Sequence, residues 1–254
     1  MWNIIRSLPR QKHFLRQGPW TLFILTFLIA GCAAKTKNLD TAEGTLREAE
    51  RLMKEEFHEE ARTQFLRIKT EFPTSPLQVK ADLGIADSHF KEESYPAAAK
   101  AYEDFIRTYP GREEIPYALY QLGMSWANQI PGNSDRDSRP TEKALDAFSR
   151  LLVDFPNSQY KDDAWKWVNK SQSLLAEKAF SIARFYERQD KALASAIRYQ
   201  KVFTQFPDSS FAEEARARRI KMLRKAGKTD EAQAETESFR RQFPDSKFAT
   251  MIAE

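Results

Sequence analysis

An aromatic residue followed directly by proline recurs five times in this chain: Phe72-Pro73, Tyr109-Pro110, Phe155-Pro156, Phe206-Pro207 and Phe243-Pro244. The prolines are 37, 46, 51 and 37 residues apart, and punctuation at such intervals marks a repeat architecture. Twelve residues before each proline stand Ala61, Ala98, Ala144, Ser195 and Ala232. Eight before stand Phe65, Tyr102, Phe148, Tyr199 and Thr236; five before stand Ile68, Phe105, Leu151, Val202 and Phe239. These offsets trace one face of a helix with 3.6 residues per turn. Proline then ends the helix, because it cannot continue the hydrogen-bond ladder and drives its predecessor out of the α region. Ser75, Ser158, Ser209 and Ser246 follow the proline by two, which predicts a serine cap on the next helix.

This pattern resembles the tetratricopeptide repeat, whose second helix carries a small residue, an aromatic and a proline at the same offsets. The first helix of that motif carries a Leu-Gly-x-x-aromatic run. Leu122-Gly123-Met124-Ser125-Trp126 fits it throughout; Leu83-Gly84-Ile85-Ala86-Asp87 fits at its first two positions and fails at Asp87. A helical glycine costs about 1 kcal/mol relative to alanine, so Gly84 and Gly123 predict close helix approach, with Ala98 and Ala144 expected opposite. The fold expected is all-α, a tetratricopeptide-repeat α-solenoid of about five hairpins, at about 41–73, 76–110, 114–156, 159–207 and 209–244. Its helix pairs fall near 41–56 and 58–71, 76–91 and 95–108, 114–129 and 140–154, 159–187 and 190–205, and 209–226 and 229–242. The seventh helix, over 159–187, is long enough to break in its middle. No hairpin buries its apolar stripe alone, so stability comes from stacking, and a quasi-linear array leaves a concave face for binding.

The first 31 residues read differently. Arg6, Arg10, Lys12 and Arg16 come with no acidic residue, and an apolar run follows over 20–30. A membrane-spanning helix needs about 20 apolar residues, so this short run reads as a signal peptide. Ile29-Ala30-Gly31-Cys32 looks like a lipobox, with Cys32 as the acylation nucleophile. The expectation is a cleaved leader over 1–31, a lipidated Cys32 (S-diacylglycerol and N-acyl, such as palmitate), a tether over 32–40 and a repeat domain over 41–248. By resemblance to lipoproteins generally, Ala33 in place of aspartate favours the outer membrane. The tether reaches about 30 Å at most, which keeps the first repeat near the membrane. Four of the 40 basic residues lie in the leader, leaving 36 against 36 acidic ones. The mature chain is therefore formally neutral and lacks the basic field of a nucleic-acid binder.

Signatures of catalysis are missing. His58-Glu59-Glu60-Ala61-Arg62 starts like HExxH but has Arg62 where the second histidine belongs, and two histidines at i, i+4 are needed to share one ion. Glu55, Glu56, Glu59 and Glu60 read as a solvated face. No metal, cofactor or enzymatic activity is expected. Trp165 and Trp167 are two apart and cannot share a helix face, so one belongs in the core and the other outside, as a candidate interface anchor. The run Arg216, Arg218, Arg219, Lys221, Arg224 and Lys225 reads either as a solvated basic helix end or as a docking face for an acidic partner. The third hairpin carries a polar insertion, Pro131 to Pro140, in which Asp137 or Ser138 is the expected cap of the next helix.

The segment from Asp135 to Ala164 makes the resemblance specific. Asp135-Arg136-Asp137, Ala147-Phe148-Ser149 and Pro156-Asn157-Ser158-Gln159-Tyr160 followed by Asp163-Ala164 resemble the BamD family (older name ComL). The likeness spans Cys32 to about residue 248. It implies a non-catalytic lipoprotein scaffold of the outer-membrane β-barrel assembly (BAM) complex, lipid-anchored on the periplasmic face of the outer membrane. Its implied partners are the BamA POTRA domains, accessory BAM lipoproteins and unfolded outer-membrane proteins, whose C-terminal signal ends in an aromatic residue. Mapping tetratricopeptide concave positions gives His89, Tyr117, Tyr120, Met124 and Asn128 as groove candidates, with a structural role equally open for Met124. Another periplasmic tetratricopeptide lipoprotein, an adaptor of envelope or peptidoglycan machinery, is the alternative reading.

Overall fold

The computed structural model describes residues 40–132 and 137–253. Cys32, the lipobox and all of the tether before Asp40 lie outside the described residues, as do Asp135 and Arg136. The described chain folds into ten α-helices: α1 Ala42–Lys54, α2 His58–Glu71, α3 Gln78–Lys91, α4 Tyr95–Thr108, α5 Ile115–Ala127, α6 Arg139–Asp154, α7 Lys161–Arg188, α8 Ala192–Gln205, α9 Ala212–Lys225 and α10 Thr229–Gln242. A short 3-10 turn, Ala249–Ile252, follows. Each helix packs chiefly on its sequence neighbours, so the hairpins α1–α2, α3–α4, α5–α6, α7–α8 and α9–α10 form a stacked array.

The aromatic before each proline is the C-cap of a second helix. Phe72, Tyr109, Phe155, Phe206 and Phe243 all leave the α region, with φ between −126° and −134° and ψ between 53° and 66°. The pre-proline clash accounts for this shared geometry. The serines after the prolines do not cap the following helices. Ser75 Oγ accepts from the Leu77 N–H at 3.2 Å, Ser158 Oγ from Tyr160 at 3.2 Å and Ser246 Oγ from Phe248 at 3.0 Å. These are local turns closed by a side chain two residues back. They push the start of α3 and α7 two residues beyond the expected positions, while Ser209 donates to Phe206 O at 2.8 Å and α9 starts three residues later than expected.

Within four hairpins the turn is three residues long with its middle residue left-handed: Glu56 (φ 64°), Glu93 (58°), Asp190 (60°) and Gly227 (73°). The residue after each donates five positions back, as Ser94 N–H does to His89 O at 2.9 Å, which satisfies a carbonyl orphaned at the helix end. Hairpin three replaces this turn with the insertion. There Asp137 caps the Arg139 N–H at 3.0 Å, while Ser138, the residue at the cap position, turns its hydroxyl to Glu142 at 2.8 Å.

The seventh helix does not break. α7 is continuous over 28 residues, about 42 Å, and serves two cores. Its first half joins Phe105, Leu119, Phe148 and Leu151 through Ala164 and Val168. Its second half joins Tyr199, Val202 and Leu223 through Phe180 and Ala183. Trp167 stacks on Phe148 at 6.0 Å in the first core, and Trp165 is 49% exposed, as expected for two residues on different faces.

Candidate functional site

The small −12 residues do not face the helical glycines. An added Cβ on Gly84 would lie 2.3 Å from Phe65 Cζ, and one on Gly123 would lie 2.6 Å from the Phe148 ring. The glycines make room for the −8 aromatics, because a ring needs more clearance than an alanine methyl supplies. Seating Phe65 under α3 opens a cavity of about 330 Å³ between hairpins one and two. Leu46, Glu50 and Met53 line it from α1, and Lys80, Leu83 and Asp87 from α3. Both sets follow the three- and four-residue spacing of one helix face. The walls are apolar, and the polar groups are two carboxylates and the exposed Lys80. The sequence analysis missed this groove. The failed motif position, Asp87, was the available signal.

Asp87 occupies the junction of three helices. Its Oδ1 accepts from Tyr102 Oη of α4 at 2.6 Å and from Tyr117 Oη of α5 at 2.8 Å. Burial pushes the Asp87 carboxyl above the usual aspartate range, against the pull of the two hydroxyls. Burial and the nearby carboxylate likewise raise both phenols. Gln121 Nε2 supports Tyr117 Oη at 3.1 Å.

The groove candidates divide. Tyr117, Tyr120, Met124 and Asn128 share one face of α5 by spacing. Tyr120 stacks on Tyr160 at 4.7 Å, and Met124 packs half-buried against the core. Asn128 turns back to its own helix, donating to Met124 O at 2.9 Å. His89 does not join them. It lies two residues beyond Asp87, about 200° around the helix. Burial and then the Arg62 charge lower its pKa. Arg62 itself holds Glu92 at 2.8 and 3.2 Å and Ser88 at 3.1 Å, so the residue that broke the HExxH pattern ties hairpin one to hairpin two.

The basic run on α9 is largely neutralised within the chain. Arg218 bonds Glu214 at 2.7 Å and Glu187 at 3.1 Å. Arg219, 8% exposed, bonds Glu235 at 2.5 Å. Lys225 pairs with Asp190, and Arg216 lies 4.3 Å over the Phe203 ring. Arg224 reaches Thr236 Oγ1 at 3.3 Å, and Lys221 is exposed. A six-residue basic field is therefore not what the helix presents; helical spacing turns several of these cations onto neighbouring carboxylates. No helix among the described residues is long and apolar enough to cross a membrane.

A stack of helical hairpins with an apolar-walled groove on its first helices is an all-α array of the tetratricopeptide type. The chain belongs to the YfiO (BamD) family of outer membrane lipoproteins, whose profile matches residues 40–239. It is 30% identical over 192 residues to an outer membrane protein assembly factor BamD of Neisseria meningitidis, covering 72% of each chain. It is 29% identical over 208 residues to the BamD of Xylella fastidiosa, covering 76% of this chain and 71% of that one. Among solved structures it is similar to the TPR2AB domain of yeast Sti1, with 14% identity and a TM-score of 0.42 over 82% of this chain and 80% of that one.

Proposed function

We propose that this chain is an outer-membrane protein assembly factor that acts by binding, as a lipid-anchored, non-catalytic scaffold on the periplasmic face. The groove between α1 and α3 receives the C-terminal segment of an unfolded β-barrel protein. One observation carries the assignment: apolar walls from Leu46, Met53 and Leu83 surround a site edged by the exposed cation Lys80, with Glu50 and the tyrosine-bonded Asp87 as its other polar groups. An aromatic chain end offers an apolar ring and a carboxylate to match. The tyrosine face of α5, joined to the groove through Asp87 and Tyr117, extends it for upstream residues. Cys32 supplies the anchor. The exposed part of hairpin five, with Lys221 and Arg224, contributes to docking on the POTRA domains of BamA, and accessory lipoproteins attach elsewhere.

The experiment is titration of the soluble repeat domain with a fluorescent peptide ending in phenylalanine. A free carboxyl terminus should bind roughly tenfold more tightly than its amide, about 1.4 kcal/mol. Lys80→Glu should erase that difference while a BamA capture assay stays unchanged. Equal binding of acid and amide would end this reading of the groove.

A further inference from the structure

The groove between α1 and α3 holds a conflict of charge. A chain end seated there brings a carboxylate, yet two of the lining side chains are themselves acids, Glu50 and Asp87, against the single cation Lys80. The two acids differ in setting. Glu50 is exposed on α1 and keeps its water. Asp87 is half-buried on α3, and its Oδ1 takes the Tyr102 hydroxyl at 2.6 Å and the Tyr117 hydroxyl at 2.8 Å. One oxygen thus meets both protein donors. Oδ2 accepts no hydrogen bond among the described residues and is not sealed from solvent. Neither tyrosine lines the groove, so Oδ2 is the atom that Asp87 offers to an occupant.

The charges around Asp87 do not neutralise it. On its own helix, Lys91 lowers its pKa but ranks after burial and the two hydroxyls, Lys80 stands two turns away, and His89 lies on another side. α1 brings Glu50. α2 brings the Phe65 ring, while its cations Arg62 and Lys69 are held by Glu92 and Asp82. α4 and α5 bring the phenols of Tyr102 and Tyr117, which are raised by burial and by the carboxylate itself. No cation bonds the Asp87 carboxylate among the described residues. Burial therefore prevails and raises its pKa, since a site poor in water favours the neutral acid.

We propose that Asp87 is a specificity-determining residue of the groove: as the neutral acid it donates from Oδ2 to the terminal carboxylate of the bound segment, so that binding takes up one proton. This inference rests on the groove being the seat of a C-terminal carboxylate. The proton comes from solvent and stays on Oδ2, in a charge-assisted hydrogen bond to the incoming oxygen. Lys80 supplies the countercharge, and the two tyrosines hold Oδ1 so that the other oxygen faces the ligand. An ionised Asp87 in the same place would set two carboxylates against one another. An amide end carries no charge to oppose it, so its binding is indifferent to the proton. The apolar walls select an aromatic ring, and the acid selects a ring at a chain end over one within a chain.

The test is calorimetric titration of the full-length lipoprotein, in a non-ionic detergent, with a peptide ending in phenylalanine as the free acid and as the amide. Each is run in two buffers of different ionisation heat from about pH 5 to 8, above the ordinary aspartate value. The expected result is uptake approaching one proton for the acid peptide and none for the amide. Affinity for the acid peptide is full below the raised Asp87 value and should fall by up to about tenfold per pH unit as pH rises through it. Asp87→Asn should bind the acid peptide with no proton uptake and with an affinity independent of pH. Tyr117→Phe removes a hydroxyl that favours the ionised form and should move the uptake to higher pH, a response that a merely structural tyrosine would not give. Tighter binding of acid than amide with no proton uptake would overturn the role of Asp87 and leave the groove as a carboxylate seat. Uptake that persists in Asp87→Asn would assign the proton to another group and overturn it equally. Equal binding of the two peptides at every pH would remove the carboxylate seat itself, and the inference with it.

Discussion

Tyr102 donates its hydroxyl to Asp87 Oδ1 at 2.6 Å, and Tyr117 of the next hairpin donates to the same oxygen at 2.8 Å. One carboxylate oxygen thus joins three helices. The same device recurs in hairpin four, where Glu187 takes the Tyr199 hydroxyl and the Arg218 guanidinium of the next hairpin. Where the −8 residue is phenylalanine the contact is against glycine instead: Phe65 packs on Gly84 of the next hairpin, and Phe148 packs on Gly123 within its own hairpin.

The Asp87 junction predicts a pH dependence of stability. Its folded pKa is raised by burial, so the folded state holds a proton more tightly than the unfolded chain does. That contribution is fully present below the ordinary aspartate range and is lost as pH rises through the raised value. Asp87→Asn keeps an acceptor for both hydroxyls and removes the charge. Its melting midpoint should exceed that of the native chain at neutral pH and show a flatter acid limb. A lower midpoint at neutral pH would mean that the ionised carboxylate is the stabilising form.

The two glycine contacts predict unequal costs. Phe148 is fully buried and held between Tyr120 and Trp167, so its ring has nowhere to move. Gly123→Ala should destabilise the domain by about 1–3 kcal/mol. Phe65 borders the groove cavity and is able to shift into it. Gly84→Ala should cost less, because the Phe65 ring gives way where Phe148 does not while the gain of about 1 kcal/mol in helix propensity is common to both sites, yet it should weaken peptide binding by reshaping the groove floor. Denaturant melts alongside peptide titration separate the two.

Arg218 and Lys221 stand three residues apart with different duties. Arg218→Ala strips Glu187 and Glu214 of their shared partner and should cost about 1–3 kcal/mol. Lys221→Ala should change stability by less than about 0.5 kcal/mol. Reversing Lys221 and Arg224 to glutamate should weaken BamA capture, more so at low salt, where exposed charges are less screened. Equal melts for Arg218→Ala and the native chain would contradict the interior role of Arg218.

For the anchor, Cys32→Ala should leave the precursor unprocessed by the lipoprotein peptidase. Labelling cells with an alkyne fatty acid should mark the native protein alone, and equal labelling of both would remove Cys32 as the acylated residue.

Repeat punctuation made most of the fold legible. Aromatic-proline pairs located the end of every second helix, since the pre-proline clash is local and acts wherever it occurs. The −12, −8 and −5 residues are buried nearly throughout, because their spacing alone puts them on one face. Leu122-Gly123 located a close approach but not its partner: whether a methyl or a ring fills the space left by a missing Cβ depends on the neighbouring helix. The α5 face of Tyr117, Tyr120 and Met124 followed from spacing, whereas the α1–α3 groove did not, because its walls come from separate hairpins.

The sequence by itself determined the helical array, its five hairpins and the family to which it belongs, since these rest on periodicity, proline stops and motif spacing, all of them local. Tertiary structure decided which charges are free and which faces are open. Arg218, Arg219 and Lys225 read as a basic run along the chain, but three-dimensional neighbours as far away as Glu187, Glu235 and Asp190 take up their charge. Likewise, the 28 residues of α7 read as an overlong helix, and only the end of hairpin three at Arg139 leaves Ile182 and Phe185 uncovered. Coulombic pairing and burial act through space over a few ångströms, and that proximity is set by how hairpins stack.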